Sequence, residues 1–433
     1  MLVAHLADIH LGKQQYRLEY REFDVYNLFL EALEQCIRDH VDMILITGDL
    51  FDEPRPRVNA LKTVIDGLRK VISHDIKVII TPGDHDVPKR RDRLVIDILP
   101  DIVDGVYSLG YIRGETSIVE KVFEQKKLAL YAIPFIPHKN IAKKLLPKFL
   151  EDSRRFFSTH KEYRKILLAH YSLKELLPYD AMFSITQIPS VDYAAFGHIH
   201  DRIKQYIPSG GVLAYPGSID IFSINEAISW KDKGKGFNII DLSKKDITIE
   251  SIHWVNLDIR PQYVIDIDKH NIEKLHDMLT ELVNTSTIKP IIVHVKARIP
   301  EHAVTTLRAH TNRAMITHGD ALFIRLYVET IEENNTIKEG ERLKEELDEA
   351  SIIASLIKST KEVAEHIVEL AEKLASGEYT REDIEKILKE LYSEWFKHID
   401  VKTYNTLAKT TLEKKQPKTD TKKPRNILDF LQH

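Results

Sequence analysis

The sequence predicts an α/β fold, a layered sandwich of sheets flanked by helices, followed by smaller modules. Two observations predict it. From residue 1 to about residue 255, short apolar and β-branched runs alternate with stretches of helical spacing, and each run ends in polar residues. The 433 residues, 43% hydrophobic and 30% charged, suffice for two or three domains with cores of their own. This composition excludes a wholly disordered or fibrous chain.

Six apolar runs are typical of buried strands that end in loops: residues 2–7, 43–47, 78–81, 128–133, 166–169 and 193–196. Between them, residues 23–40 and 58–73 carry apolar side chains at helical spacing, which predicts helices packed on the sheet faces. In open α/β sheets, ligands bind beyond the carboxyl ends of the strands. We therefore expect the chemistry of this chain at those ends.

After the α/β domain at residues 1–255, the pattern changes twice. Residues 256–331 suggest a small α+β module, and residues 332–400 suggest a helical hairpin with one apolar face more than a free-standing unit buries. That face either docks on a partner or packs against its own chain. Residues 401–433 form a basic tail of flexible composition with an apolar cluster at 426–431, which is either a docking peptide or a frayed end.

Charge and cysteine usage narrow the function classes. Lys and Arg number 62 and Asp and Glu number 66, so any nucleic-acid contact must be a local patch. A single cysteine, Cys36, excludes an intramolecular disulfide framework and suits a reducing compartment. No apolar run approaches the roughly 18 residues of a spanning helix, and a strand begins too early for a signal peptide. We expect a cytoplasmic protein with no membrane contact.

Metal-ligand side chains follow five of the predicted strands. They occur in Asp8-Ile9-His10, Gly48-Asp49, Gly83-Asp84-His85-Asp86, His170 and Gly197-His198-Ile199-His200. Carboxylates and imidazoles together suit Mn²⁺, Fe²⁺ or Zn²⁺, and a cluster this dense suits two ions. Taken singly, a Gly-Asp pair is an ordinary turn and a lone histidine an ordinary structural residue. The order and placement of all five predict a two-metal site.

These strings, in this order, resemble the signature of the calcineurin-like metallophosphoesterases. Other strings resemble the Mre11 (SbcD-like) family of DNA double-strand-break repair nucleases, which work with the SMC-like ATPase Rad50. The strings are Leu11-Gly12, Gln15-Tyr16-Arg17, Gly48-Asp49-Leu50-Phe51, Arg55-Pro56, Tyr215-Pro216-Gly217-Ser218-Ile219 and Gly234-Lys235-Gly236-Phe237. The motif match covers about residues 1–240, and the rest agrees in layout.

The resemblance implies a metallophosphoesterase sheet sandwich that holds two Mn²⁺ per subunit. One ion would be held by Asp8, His10, Asp49 and His200, and Asp49 would bridge to a second ion held by Asp84, His170 and His198. His85 would be catalytic and protonate the leaving O3′ or stabilise its charge. Residues 256–331 would form a capping, DNA-binding domain, and the hairpin would bind the coiled coil of Rad50.

Two positions depart from the family pattern. Asp84 stands where the motif has Asn, and Asp52 stands where many relatives have a His that helps to present DNA. If ionised, Asp84 should hold cations more firmly but blunt their Lewis acidity and repel phosphate. If protonated, it would imitate Asn. The sequence leaves this choice open.

Basic residues after the metal loops are candidates for contact with a phosphate backbone. Arg55 and Arg57 follow one loop, and Lys89, Arg90 and Arg91 follow another, although the second run could equally be a solvated surface. By resemblance, Tyr16, Arg17 and Asp52 complete the DNA-binding set. No base-reading motif is present, which predicts sequence-independent and salt-dependent binding.

By resemblance, the function is that of a Mn²⁺-dependent nuclease, a 3′→5′ exonuclease on double-stranded DNA and an endonuclease on single strands. We expect a homodimer through helices near residues 58–71 and 94–103, and a heterotetramer with Rad50. One alternative is a small-molecule or cyclic-nucleotide phosphodiesterase, against which the modules after residue 255 argue. The other is a non-catalytic DNA-tethering scaffold, against which seven retained ligand positions and His85 argue.

Overall fold

The structure, a computed structural model, describes residues 1–88, 93–113, 116–179, 181–285 and 289–331. These residues belong to one of two units of the chain, the unit formed by residues 1–334. The predicted helical hairpin at 332–400, the tail at 401–433 and the three basic residues Lys89, Arg90 and Arg91 lie outside the described residues.

The predicted strands form where the apolar runs lie. Numbered along the chain, the strands are β1 (Leu2–Leu6), β2 (Met43–Thr47), β3 (Lys77–Thr81), β4 (Val106–Ser108), β5 (Tyr111–Arg113), β6 (Thr116–Ile118), β7 (Glu120–Phe123), β8 (Leu128–Ala132), β9 (Arg164–His170), β10 (Tyr193–Gly197), β11 (Ile203–Tyr206), β12 (Val212–Tyr215), β13 (Gly236–Asp241), β14 (Ile252–Asn256), β15 (Gln262–Ile267), β16 (Ile291–Pro300) and β17 (Leu322–Ile331). The helices are α1 (Glu19–Arg38), α2 (Val58–Ile72), α3 (Leu99–Ile102), α4 (Lys139–Thr159), α5 (Ile224–Lys233), α6 (Leu275–Thr285) and α7 (Val304–His318).

Two six-stranded sheets form the first part of the chain. The first has the order β14-β13-β1-β2-β3-β4, and the second has the order β11-β12-β10-β9-β8-β7. Strands β1 to β4 run parallel to one another, as do β8, β9, β10 and β12, while the remaining strands pair antiparallel at the sheet edges. Parallel strands need crossover connections, and helices such as α1 and α2 supply them.

Side chains alternate between two cores along each central strand. Val3, Leu45 and Ile79 of the first sheet pack with Leu130 and Leu168 of the second, so the sheets lie face to face. The intervening residues of the first sheet pack with α1 and α2, and those of the second sheet pack with α4. The layers therefore run helix, sheet, sheet, helix, which confirms the predicted α/β sandwich.

A third sheet follows the sandwich. Strands β15, β16 and β17 run parallel in that order, and α6 and α7 connect them in turn. Ile265, Val293, Leu279 and Leu307 form the core between this sheet and its helices. The opposite sheet face carries polar residues, among them the buried Gln262 and His294. The module boundary at residue 255/256 stays a prediction; β14 ends at Asn256 and β15 begins at Gln262.

None of the described helices combines the length and the apolar character that a membrane span needs.

Candidate metal centre

Five parallel strands end at one place. The loops after β1, β2 and β3 of the first sheet meet the ends of β9 and β10 of the second. Parallel strands of one sheet end at one edge, and the face-to-face packing of the two sheets brings two such edges together. The five metal-ligand strings of the sequence are thereby gathered at a single site.

The predicted ligands fall into two groups around Asp49. Asp8, His10 and His200 offer ligand atoms within 4.8 Å of one another, and so do Asp84, His170 and His198. The Oδ2 atom of Asp49 lies 3.6 Å from His10 Nε2 and 3.5 Å from His170 Nε2. Asp49 thus stands between the groups, where a carboxylate can bridge two cations.

The imidazoles present lone pairs to this site. His170 Nδ1 donates a 2.8 Å hydrogen bond to the carbonyl of Thr47, and His200 Nδ1 lies 3.0 Å from Glu226 Oε1. These acceptors hold a proton on Nδ1, so each Nε2 faces inward, where it can give its lone pair to a cation or, with no cation bound, carry a proton towards the carboxylates. His10 Nε2 and His200 Nε2 are only 3.3 Å apart. Acceptors that face one another and buried carboxylates fit divalent cations between them.

The pKa values of His170 and Asp84 also indicate a site that attracts cations. Burial disfavours the charged form of His170, but the carboxylates of Asp49, Asp84 and Asp8 outweigh it and raise its pKa well above the usual value. Burial likewise opposes ionisation of Asp84, but hydrogen bonds from His170 and His198 outweigh it and lower the pKa of that carboxyl. Asp84 is therefore ionised at neutral pH and does not imitate Asn by protonation. The carboxylates of the site together therefore attract positive charge.

The backbone at the ligands is held in the left-handed region. Asp8, His10, Asp49 and His198 have φ values of 51°, 53°, 52° and 93°, which non-glycine residues seldom adopt. Such strain persists only where surrounding structure enforces it, and it concentrates at functional sites. Gly48 has a φ of 86°, and a Cβ atom there would overlap the ring of His170. Because Gly48 has no Cβ atom, the ring of His170 can approach the loop.

Asp86 holds two of the metal loops together. Its buried carboxylate accepts backbone N–H groups from Leu50 (3.3 Å), Phe51 (3.0 Å) and Gly83 (2.9 Å). The loop after β2, which carries Asp49, is thereby tied to the loop after β3, which carries Asp84. In the sequence, Asp86 stands only as the last residue of the string Gly83-Asp84-His85-Asp86, and nothing local indicates this role.

Glu226 is a second residue that the sequence analysis missed. Its Oε1 lies 3.0 Å from His200 Nδ1, and its Oε2 accepts hydrogen bonds of 2.6 Å from Ser218 and from Lys235. Ser218 and Lys235 belong to strings quoted for the family resemblance, but Glu226, on α5, belongs to none. A buried carboxylate that orients a ligand imidazole raises the basicity of the ligand atom.

His85 borders the site without belonging to either group. Its Nδ1 donates a 2.7 Å hydrogen bond to the carbonyl of Asp52, and its Nε2 lies 3.8 Å from Asp84 Oδ2. The side chain is 38% exposed, so a substrate at the site can reach it. His85 is thus fixed at one nitrogen and free to exchange a proton at the other.

The predicted DNA-binding residues are distributed around the site. Tyr16 stacks on Phe323 of β17 with 5.6 Å between ring centroids, and Arg17 next to it is exposed. Arg55 and Arg57 are exposed, and Arg57 pairs with Glu22 at 2.9 Å. The carboxylate of Asp52 points to Lys13, 2.8 Å away. Contact of these residues with DNA stays a prediction.

Comparison with known proteins identifies the family. Residues 1–202 match the Metallophos family, described as calcineurin-like phosphoesterase. The DNA double-strand break repair protein Mre11 of Saccharolobus solfataricus is 36% identical over 297 residues, 67% of this chain and 73% of the relative.

Two more relatives with the same name extend this similarity. That of Methanococcus maripaludis is 33% identical over 293 residues, 67% of this chain and 75% of its own. That of Sulfurisphaera tokodaii is 29% identical over 400 residues, 89% of this chain and 96% of its own. The matched family and the clustered ligands support a divalent metal pair. The chain therefore belongs to the Mre11 family of calcineurin-like, metal-dependent phosphoesterases.

Proposed function

We propose that this chain is a Mn²⁺-dependent nuclease of DNA double-strand break repair, with 3′→5′ exonuclease activity on duplexes and endonuclease activity on single strands. The names of its relatives support the biological setting. The observation that carries the chemistry is the pair of three-residue ligand groups on either side of Asp49, with His85 beside them.

We assign the ligands by group. One Mn²⁺ would be held by Asp8, His10, Asp49 and His200, and the other by Asp49, Asp84, His170 and His198. When bound, such an ion pair supplies Lewis acidity to a phosphodiester and lowers the pKa of a water molecule between the ions. The protein contributes the fixed imidazoles described above and the carboxylate of Asp49 between them.

His85 would act on the leaving group. Its protonated imidazole can donate from Nε2 to the departing O3′, because its Nδ1 is already held by the Asp52 carbonyl. His85 also offers a ligand atom within 4.8 Å of those of Asp49 and Asp84. We assign it to the leaving group because its Nδ1 is held by the Asp52 carbonyl, so its removal should affect turnover more than metal affinity.

DNA would enter past the half-buried Tyr16 and the exposed arginines beside the metal centre. Tyr16, Arg17, Arg55 and Arg57 lie on the loops after β1 and β2, and arginines there can neutralise phosphates without reading bases. The third sheet reaches this surface because Arg325 lies over the Tyr16 ring at 5.5 Å. A cleft bordered by a second module fits a polymer better than a small diester.

The proposed assembly is a homodimer that forms a heterotetramer with Rad50. Support for the dimer comes from α2, whose first residue, Val58, is 81% exposed. The predicted contact with Rad50 rests on the family and on the hairpin predicted at 332–400. Both partnerships are testable by measuring the mass of the full-length protein alone and mixed with the ATPase.

Cleavage of end-labelled duplex DNA tests the proposed function. Full-length protein with Mn²⁺ should shorten the duplex from its 3′ ends, and chelator should abolish the reaction. His85→Ala should lower the rate by about 10²- to 10⁴-fold with Mn²⁺ affinity retained. His74→Ala, a change of an exposed histidine on another loop, is the matched control and should leave the rate unchanged.

Two results would redirect the assignment. Hydrolysis of a small chromogenic phosphodiester with intact DNA would favour a small-molecule phosphodiesterase. DNA binding without turnover of either substrate, together with full repair function of His85→Ala in cells, would favour a DNA-tethering scaffold.

A further inference from the structure

Asp52 lies between the two histidines to which the proposed function gives different roles. Its Oδ1 is 3.4 Å from Nδ1 of His10, a proposed metal ligand, and 3.8 Å from Nδ1 of the catalytic His85. A carboxylate at this position places a negative charge beside both imidazoles.

The backbone fixes Asp52 in this place. His10 N–H donates to the carbonyl of Asp49, Leu11 N–H donates to Leu50, and Asp52 N–H donates to Leu11, with distances of 2.9, 3.0 and 3.1 Å. The loops after β1 and β2 therefore run side by side. Asp52, on the loop after β2, therefore faces His10, on the loop after β1.

His10 lacks a conventional hydrogen bond at the nitrogen that faces Asp52. Its Nε2 is directed at His200 and Asp49, so a neutral His10 that binds a cation through Nε2 must carry its proton on Nδ1. That Nδ1 is buried and makes no hydrogen bond within conventional limits. The Asp52 carboxylate, at 3.4 Å, is in position to accept it after a shift of a few tenths of an ångström.

Lys13 keeps the carboxylate in place. Its Nζ pairs with Asp52 Oδ1 at 2.8 Å and lies over the ring of Phe222 at 5.5 Å. Phe222 itself packs edge-on against His10. The Asp52 side chain is only 20% exposed, so water competes weakly for its oxygens. Lys13 offsets the charge of Asp52, and Oδ1, which has two lone pairs, can accept from His10 Nδ1–H as well as from Lys13.

We propose that Asp52 is a positioning residue for the metal centre: its carboxylate accepts the Nδ1–H of His10, orients that imidazole and strengthens Nε2 as a ligand. Carboxylate–histidine–metal arrangements of this kind raise ligand basicity, and losing the carboxylate weakens metal binding about 10- to 100-fold. The proposal rests on the proposed two-metal function. It gives Asp52 a role in cation affinity.

Calorimetric titration with Mn²⁺ alone tests the proposal without reference to turnover. Asp52→Asn should weaken one of the two Mn²⁺ sites, the one that contains His10, about 10- to 100-fold; Asp52→His should weaken it to a similar extent, and Asp52→Glu should recover part of the affinity. Glu53→Gln, the exposed neighbour, is the matched control with the same charge change. Equal thermal unfolding temperatures in chelator would separate this effect from misfolding.

Cleavage assays then separate this proposal from the proposed function. Asp52→Asn should need about 10- to 100-fold more Mn²⁺ for half-maximal cleavage, while the hydrogen bond from His85 to the Asp52 backbone carbonyl stays intact. Wild-type Mn²⁺ affinity in Asp52→Asn and Asp52→His would overturn the role of Asp52 and leave the nuclease intact. Mn²⁺ binding by the wild type with no DNA cleavage would overturn the nuclease, while the affinity comparison would still decide the role of Asp52.

Discussion

Among single residues, Asp84 supplies the carboxylate of the ligand group that also contains His170 and His198. Its Oδ1 is 3.0 Å from His170 Nε2 and 3.1 Å from His198 Nδ1. An amide would offer a similar oxygen without the charge. We predict that Asp84→Asn weakens Mn²⁺ affinity but keeps or raises the DNA cleavage rate at saturating Mn²⁺, because the cations stay more Lewis acidic and phosphate is repelled less.

A Mn²⁺ titration of duplex cleavage measures both effects of Asp84→Asn. Asp75→Asn, which changes a carboxylate that is 93% exposed, serves as the control for a lost negative charge. Complete loss of cleavage in Asp84→Asn at every Mn²⁺ concentration would show instead that the carboxylate is a required ligand.

Asp86 should contribute to stability, because it accepts three backbone N–H groups of the metal-site loops. Replacement by Ala would leave the N–H groups of Leu50, Phe51 and Gly83 without their acceptor in a buried loop. Each unsatisfied group costs about 1–3 kcal/mol, so we expect a loss of roughly 3 kcal/mol or more in the free energy of unfolding. Urea denaturation in chelator measures it. Asp86→Asn, which keeps an acceptor oxygen, should lose less, and equal losses would contradict the hydrogen-bond explanation.

Among the secondary-structure elements of the two large sheets, six interior strands were predicted, β1, β2, β3, β8, β9 and β10, whereas the edge strands and the interior strands β12 and β13 were not. β2 matches its predicted residues 43–47 and β9 extends the predicted residues 166–169 by a few residues, because strands buried on both faces are continuous apolar runs. Edge strands such as β11 are half-exposed and carry no such run. Helix α4 also went unpredicted, and a proline at position 147 inside it disguises its pattern.

In the metal centre, the proposed ligands were predictable from the sequence and the residues that support them were not. Its proposed ligands lie directly after predictable strands, so their order along the chain reveals them. Glu226 and Asp86 act through distances that only the folded chain creates, since Glu226 is 26 residues from His200 and Asp86 is 36 residues from Leu50. Side chains of this supporting kind carry no local signal in one sequence.

Buried hydrogen bonds of Gln262 connect the third sheet to the loop after β1 and should stabilise the fold. Gln262 on β15 is fully buried; its Nε2 donates to the Ile221 carbonyl and to Gln15, each at 3.0 Å, and its Oε1 lies 2.9 Å from His294 Nε2. Gln262→Leu would leave these groups unpaired. We predict a loss of about 2–4 kcal/mol in the free energy of unfolding.

Chemical denaturation measures the effect of Gln262→Leu. The control is Gln125→Leu, which replaces an exposed glutamine with the same side chain and should change stability by less than about 0.5 kcal/mol. Equal stability of the two variants would mean that the buried polar contacts between β15 and the loop after β1 contribute little.

For the described unit as a whole, the two large sheets are joined through a buried polar link as well as through their apolar core. His5 on β1 lies 2.6 Å from the hydroxyl of Tyr193 on β10 and 2.7 Å from Thr47 Oγ1 on β2. Burial lowers the pKa of His5 to about 3, so the folded protein keeps this imidazole neutral. The unfolded chain has no such constraint.

This difference predicts a pH-dependent stability. Above pH 6.5, neither state binds a proton at His5, and the residue has no effect on the pH dependence. As the pH falls from 6.5 towards 3, the unfolded chain takes up a proton that the folded protein refuses, so stability falls by about 1.4 kcal/mol per pH unit. By pH 4.5 the loss from His5 amounts to roughly 2–3 kcal/mol.

Other groups also titrate in this range, and a difference between variants isolates His5. Denaturation of wild type and His5→Gln in chelator, from pH 7 to pH 4.5, should show a wild-type advantage that shrinks by roughly 2–3 kcal/mol as the pH falls. His74→Gln, an exposed histidine, should follow the wild type throughout. A constant difference between His5→Gln and wild type would mean that the sheet interface admits a charged imidazole, and that the two sheets separate enough in solution to hydrate it.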